Sequence, residues 1–299
     1  MVAGTEPTAR EPVAPPARER ASVRGRHVFI TPYHREDRRL IERCIRSVQN
    51  QDTPADHMLV ADGYPQKWLD SEPVRHIVLD KSHGDFGNAA RGIGGLLAVS
   101  EGYSGMGFLD ADNWLEKHHL SSCLEEAQHV QHCDFVIARR NWRRPNGMLL
   151  GAPDEPISLH VDTNCLYLLP GSFHLIPHFA MIPHPLAAVG DRIFYAVLRR
   201  AGLKATLVHT KTVNYHCLWA SVYADAGEPP PNNAKPSVDR DLFGIWQRQQ
   251  DIRELEIASR RSGLPFIARQ EGASFTLFTP LITRDEGCDA GLPSEPTGV

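Results

Sequence analysis

The chain has 299 residues, 41% of them hydrophobic and 23% charged, with a net charge of -4 at neutral pH. That composition is globular and sufficient for one large core, and the lack of a sustained basic tract argues against sequence-independent nucleic-acid binding. No apolar run approaches the roughly 20 residues that cross a bilayer. Cysteines 44, 123, 133, 165, 217 and 288 form no Cys-x-x-Cys pair and follow no cleavable leader, so reduced thiols in a cytoplasmic protein are expected. The fifteen histidines contain no convincing zinc pattern on one helix.

Residues 1–25, rich in Pro, Ala, Arg and Glu without hydrophobic periodicity, are expected to form a disordered arm. Val28-Phe29-Ile30 predicts the first strand, closing in Thr31-Pro32-Tyr33-His34, and Leu40, Ile41, Cys44, Ile45 and Val48 share one helical face. Met58 to Ala61, closed by Asp62-Gly63, and His76 to Leu79 predict two further strands. The loop Gly84-Asp85-Phe86-Gly87-Asn88 leads into a helix carrying Ala89, Ala90, Ile93, Leu96 and Leu97. Gly105 to Leu109 predicts a fourth strand, Leu120 to Ala127 a helix, and Phe135 to Ala138 a fifth strand. This alternation implies an α/β fold, a Rossmann-like, mostly parallel sheet covered on both faces by helices.

The following Arg139-Arg140-Asn141-Trp142-Arg143-Arg144 cluster reads as a solvated hairpin or loop, with a phosphate- or membrane-facing patch as the alternative. The second half is less regular. Cys165 to Leu169 predicts a strand, Ile193 to Leu198 a helix ending near Gly202, and Ala205 to Val208 another strand. The Pro-rich stretch 226–236 must be a loop, either a mobile lid or a linker. Leu242 to Ala258 reads as one amphipathic helix capped near Gly263, and a disordered tail is expected over 283–299.

The chemistry concentrates at Gly107-Phe108-Leu109-Asp110-Ala111-Asp112-Asn113, a buried strand stopping at two carboxylates spaced one apart. On extended backbone Asp110 and Asp112 point the same way and can hold a divalent cation at a strand's carboxyl end, where open α/β sheets bind ligands. A diphosphate is the natural companion of such a cation. Asp239-Arg240-Asp241 repeats the spacing but opens a helical segment, where acidic residues cap the amino end.

In this order, the motifs resemble family 2 glycosyltransferases of the GT-A fold over about residues 27–225. The resemblance implies a nucleotide-sugar-binding half (26–140) and an acceptor-side, catalytic half (141–225), followed by a loop and helical extension (226–282). It implies that Thr31, Pro32 and Tyr33 cradle the base, and that Asp62 reads a uracil edge, although Asp-Gly is also a turn signal. Arg91, in Phe86-Gly87-Asn88-Ala89-Ala90-Arg91-Gly92, would stand near the donor, its alternative being packing against the sheet edge. Asp110 and Asp112 would hold Mn²⁺ or Mg²⁺ on the diphosphate.

Gly190-Asp191-Arg192 occupies the place of the family's Glu-Asp pair, which implies Asp191 as catalytic base; an acidic residue there also caps the next helix. Asn214-Tyr215-His216 is similar to the segment that returns a histidine to the metal, with His209 as the fallback. If the family layout holds, the stretch His160 to Pro185 lines the acceptor side, including Asp162, Asn164, Phe173, His174, His178 and His184. The implied activity is an inverting, metal-dependent hexosyl transfer from a nucleotide diphosphate sugar, UDP foremost, to a hydroxyl on a small-molecule, glycan or lipid-linked acceptor. A homodimer and peripheral action at the inner face of a membrane are compatible with it. Two other readings stand beside it. A sugar-1-phosphate nucleotidyltransferase is weakened by the lack of a Gly-rich, basic loop after the first strand, and a catalytically silent nucleotide-sugar-binding protein is encouraged by Gly190.

Overall fold

A computed structural model describes residues 25–158, 160–239, 242–264 and 266. The predicted arm (save Gly25), the tail, Cys288, and Arg240 and Asp241 of the second Asp-x-Asp triplet lie outside the described residues. A single eight-stranded sheet organises the rest, in the order β3-β2-β1-β4-β7-β6-β8-β5. Its strands are β1 His27–Tyr33, β2 Asp56–Ala61, β3 Arg75–Val78, β4 Gly105–Phe108, β5 Trp114–Leu115, β6 Phe135–Arg143, β7 Leu166–Leu168 and β8 Ala205–His216.

Strands β3, β2, β1 and β4 are mutually parallel, and β6 runs parallel to β8. Antiparallel pairings join β7 to β4 and β6, and β5 to β8. Strands β3, β2, β1, β4, β6 and β8 therefore point the same way, so the sheet is mostly parallel as expected, with β5 and β7 reversed; β7 enters from the second half of the chain between β4 and β6. All seven residues of β1 are buried, as a strand covered on both faces requires. After β3 the chain crosses back to place β4 on the other side of β1, and this reversal opens a crevice beyond the carboxyl ends of β1 and β4.

The helices that frame the crevice are α1 Arg38–Gln49, α2 Asn88–Ser100, α3 His119–Gln128 and α4 Gly190–Arg200. Helix α2 lies close on the sheet because Gly94 brings no side chain. A Cβ there would stand 2.6 Å from Ile30 Cγ2 and 3.2 Å from Val60 Cγ2. Gly→Ala within a helix ordinarily stabilises by about 1 kcal/mol. Here the methyl would meet stiff, β-branched neighbours, and overpacking of this kind costs about 1–3 kcal/mol. Gly94→Ala is therefore expected to lower the urea midpoint with an unchanged denaturant slope; a raised midpoint would refute the close fit.

On the other edge of α2, the 3-10 segment Pro170–Met181 fills the space before α4. Phe179 stacks on Phe194 of α4 at 3.9 Å between ring centroids and meets Phe108 of β4 edge-on at 5.1 Å. This aromatic column fixes α4, and Asp191 in its first turn, relative to the end of β4.

Further along, the short helix α5 Ala220–Asp225 precedes the Pro-rich loop. The expected single helix over 242–258 is two, α6 Leu242–Gln249 and α7 Ile252–Ser262, the second begun by Asp251, whose carboxylate accepts from Glu254 N at 2.9 Å. Gly263, at φ +69°, closes α7 as the sequence indicates. Cysteines 44, 123, 133, 165 and 217 are free thiols. Among the described residues no helix is long and apolar enough to cross a membrane.

Candidate active site

A cleft of about 630 Å³ opens at the carboxyl ends of β1 and β4. Asp110, Ala111 and Asp112 form its floor, Pro32, Tyr33 and Asp62 one wall, and Asp162, Gly190 and Asp191 the facing wall. Asp110 leaves the strand with its amide donating to Asn164 Oδ1 at 2.6 Å, and its carboxylate accepts from Asn164 Nδ2 at 2.9 Å and pairs with Arg91. Arg91 is itself nearly buried and also donates to the Phe86 carbonyl at 2.9 Å. Asn164 Nδ2 additionally donates to Asp162 Oδ1 at 2.6 Å, so one amide links the carboxylates of Asp110 and Asp162.

Asp112 sits differently. Its carbonyl accepts from Arg43 Nη2 at 2.6 Å, and its carboxylate faces His216 Nδ1 at 3.7 Å, beyond hydrogen-bonding range. His216 stands at the end of β8, its amide donating to Asn113 Oδ1 at 2.8 Å, and its Nδ1 is buried without a hydrogen-bond partner. A buried nitrogen left without a partner, aimed at a carboxylate, suits two ligands of one divalent cation better than a pair. Asp110, engaged by Arg91 and Asn164, is the less available ligand. Among the described residues no three His, Cys, Asp or Glu side chains converge as a complete metal cluster. Glu36, which sequence reasoning did not single out, adds a further carboxyl to the cleft; burial raises its pKa, and Asp112 and Asp110 add to that rise.

On the facing wall Asp191 Oδ2 lies 2.6 Å from His160 Nε2, and His160 Nδ1 lies 2.6 Å from Glu155 Oε2. Arg140 donates to the same Glu155 oxygen at 2.6 Å and stands 3.1 Å from Asp162 Oδ2. Its guanidinium lies 4.0 Å over the Trp142 ring. Burial works against every charge here, yet the neighbours prevail: His160 lowers Glu155 to about 2, and Asp191 with Glu155 raises His160. Asp191 is likewise held below the ordinary carboxylate range by the imidazolium, against its burial.

Several sequence expectations are corrected. Most of the Arg139–Arg144 cluster is no solvated loop: Arg139 to Arg143 continue β6 beside β8, Arg140 is only 11% exposed, and a hairpin begins only at Arg143 and Arg144, which pair with Leu149 and Met148. Thr31 does not reach the cleft, because its hydroxyl is fully buried against His57 Nε2 at 2.8 Å. Asp62 does line the cleft, but its carboxylate is spent on the 82–84 loop, accepting from His83 N at 2.8 Å and Gly84 N at 3.2 Å. His209 is exposed where the register of β8 against β6 slips, whereas His216, at the end of β8, is the histidine that faces the Asp112 carboxylate.

Of the stretch 160–185, His160, Asp162 and Thr163 line the cleft, whereas Asn164 lies buried behind it. His184 is exposed and bonds the His83 carbonyl, while Phe173, His174 and His178 belong to the 3-10 segment packed between α2 and α4. Contact accounts for Gly190: a Cβ there would stand 2.6 Å from both amide atoms of Asn88. The Pro-rich loop is tied down where Arg144 clasps Glu228 and where Lys235 N donates to the Leu218 carbonyl at 2.7 Å, and Lys235 reaches the cleft rim.

The curled mixed sheet and its flanking helices form an α/β fold of the GT-A type. No family model matches the sequence, and no curated protein matches it. Among solved structures, the crystal structure of S. aureus TarS 1-349 is similar with a TM-score of 0.50 at 14% identity, over 64% of this chain and 60% of that one. Its complex with UDP is similar with a TM-score of 0.50 at 14% identity, over 74% and 63%. The match spans about three fifths of those chains' length, and at such identity it establishes the fold.

Proposed function

We propose that this chain is an inverting, metal-dependent glycosyltransferase of the family 2 type, moving a sugar from a nucleotide diphosphate sugar to an acceptor hydroxyl. The observation that carries the reading is that the Asp110-Ala111-Asp112 segment and Asp191, from distant parts of the chain, line one cleft. The UDP complex of the similarly folded TarS supports uracil as the donor base.

Asp112 and His216 would hold Mn²⁺ or Mg²⁺, which when bound offsets the charge that builds on the departing diphosphate. Arg91, already beside Asp110, is placed to add a charge-assisted hydrogen bond to a phosphate oxygen. Pro32 and Tyr33 line the side where a base would rest. Asp191 takes the proton of the acceptor hydroxyl as that oxygen attacks the anomeric carbon opposite the leaving group, and the configuration inverts. Asp162 and Thr163 flank the acceptor's approach. The test is UDP release from UDP-sugars with Mn²⁺, alongside Asp112→Ala and Asp191→Asn; turnover that is indifferent to both substitutions would overturn the reading.

A further inference from the structure

The side chain that the proposed mechanism leaves unused is His160. Both of its ring nitrogens lie 2.6 Å from carboxylate oxygens, Nδ1 from Glu155 and Nε2 from Asp191, and the side chain is 11% exposed. Ionised carboxylates only accept hydrogen bonds, so both nitrogens must donate and the ring is an imidazolium. Asp191 Oδ1 meanwhile accepts from Arg192 N at 2.7 Å. Each oxygen of Asp191 thus accepts from one of these donors, which leaves it capacity for a further one, and Asp191 lines the cleft.

Resting on the reading of Asp191 as base, we infer that His160 is its positioning residue: clamped by Glu155, the imidazolium fixes the Asp191 carboxylate and keeps it ionised for the acceptor's proton. The charged groups around the ring are Glu155, Asp191, Arg140 and Arg192, with Asp162 balancing Arg140 from behind. Arg140 holds Glu155 in place, so the order of support runs from Arg140 through Glu155 and His160 to Asp191. The step balances as one displacement: the acceptor O–H bond breaks, its proton goes to Asp191 and its electron pair forms the bond to the anomeric carbon, while the bond from that carbon to the diphosphate oxygen breaks and its electron pair leaves with the nucleotide diphosphate.

Removing the imidazolium takes away the stronger of the two cations acting on the partly buried Asp191 and leaves Arg192 alone, which raises its pKa. The acid limb of the rate profile must then move to higher pH. With UDP-GlcNAc and UDP-glucose, Mn²⁺, and water as acceptor, His160→Gln is expected to slow UDP release about 10–100-fold, leave the donor KM within about twofold, and shift that limb up by about one unit. An unshifted limb with a rate near that of the unaltered chain would overturn the inference.

A second readout needs no turnover. In the ¹⁵N-histidine-labelled full chain, the His160 resonances, assigned by their loss in His160→Gln, are expected to show both nitrogens protonated at pH 7.5. Asp191→Asn should lower the pH at which that ring titrates, and a neutral ring, or one indifferent to Asp191→Asn, would refute the inference. If the ring behaves as expected while Asp191→Asn releases UDP as fast as the unaltered chain, the base assignment fails and the His160 contact is left structural.

Discussion

Asp191→Asn is expected to cut donor turnover by about 10²–10⁴-fold while leaving UDP binding intact, the range that loss of a positioned general base produces. The substitution is nearly isosteric. Its side-chain oxygen can still accept from Arg192 N, now 2.7 Å from Oδ1, and α4 stays anchored by the Phe179–Phe194 stack. What disappears is the carboxylate's capacity to take a proton, a loss of about 3–5 kcal/mol in transition-state stabilisation when converted at 1.36 kcal/mol per decade. The measurement is the initial rate of UDP release, read against the UDP-induced rise in melting temperature. Rate and melting shift falling together would mean instead that the fold of the facing wall had been lost.

Asp112→Ala should act on the other half of the reaction. Its carboxylate and His216 Nδ1, 3.7 Å apart, are the pair best disposed to share a cation. Without it, the manganese-dependent part of UDP binding should fall by at least about 10²-fold, near 3 kcal/mol. Ligands that bind only the native form raise its melting point, so UDP with and without Mn²⁺ reads this directly. Asp110→Asn makes the instructive contrast: the amide retains an acceptor for Arg91, and a smaller loss is expected. Equal losses at both positions would place Asp110 among the ligands after all.

How far the sequence foretold this arrangement can be traced residue by residue. The strands of the parallel half announce themselves because they are buried on both faces and read as short apolar runs; β1 and β2 are plain examples. Asp110 and Asp112 were legible for the same reason, since an apolar run that stops abruptly at two carboxylates puts both at a strand's carboxyl end, where such sheets bind ligands. Strand β8 was half hidden. Its register against β6 slips at two points, where His209, Thr210 and Lys211 are exposed, so a polar interruption masks one continuous strand.

Arg140 was misread because a run of arginines usually faces water, and nothing local shows that Glu155 and Asp162 will converge on it. Glu155 was missed, and His160 was read only as the start of the acceptor-side stretch, for a related reason: five residues apart in an irregular segment, they have no period to betray their pairing. The split between α6 and α7 could have been found, since Asp251 three residues before Glu254 is a helix-start signal inside the apolar pattern. Thr31 fails on its depth along β1, two residues short of the strand's carboxyl end. Its hydroxyl turns to His57 while Pro32 and Tyr33 reach the cleft, a distinction a whole-motif comparison does not make.

The contact between Gly190 and Asn88 ties two distant stretches of sequence into one choice. Asn88 is buried at the start of α2, its Nδ2 donating to the Ala187 carbonyl at 3.2 Å, and it fills the volume that any side chain at 190 would claim. Carboxylate-bearing variants such as Gly190→Glu should therefore misfold alone and be tolerated with Asn88→Gly, so that mutational routes between the two arrangements must pass through the smaller residue at 88 first.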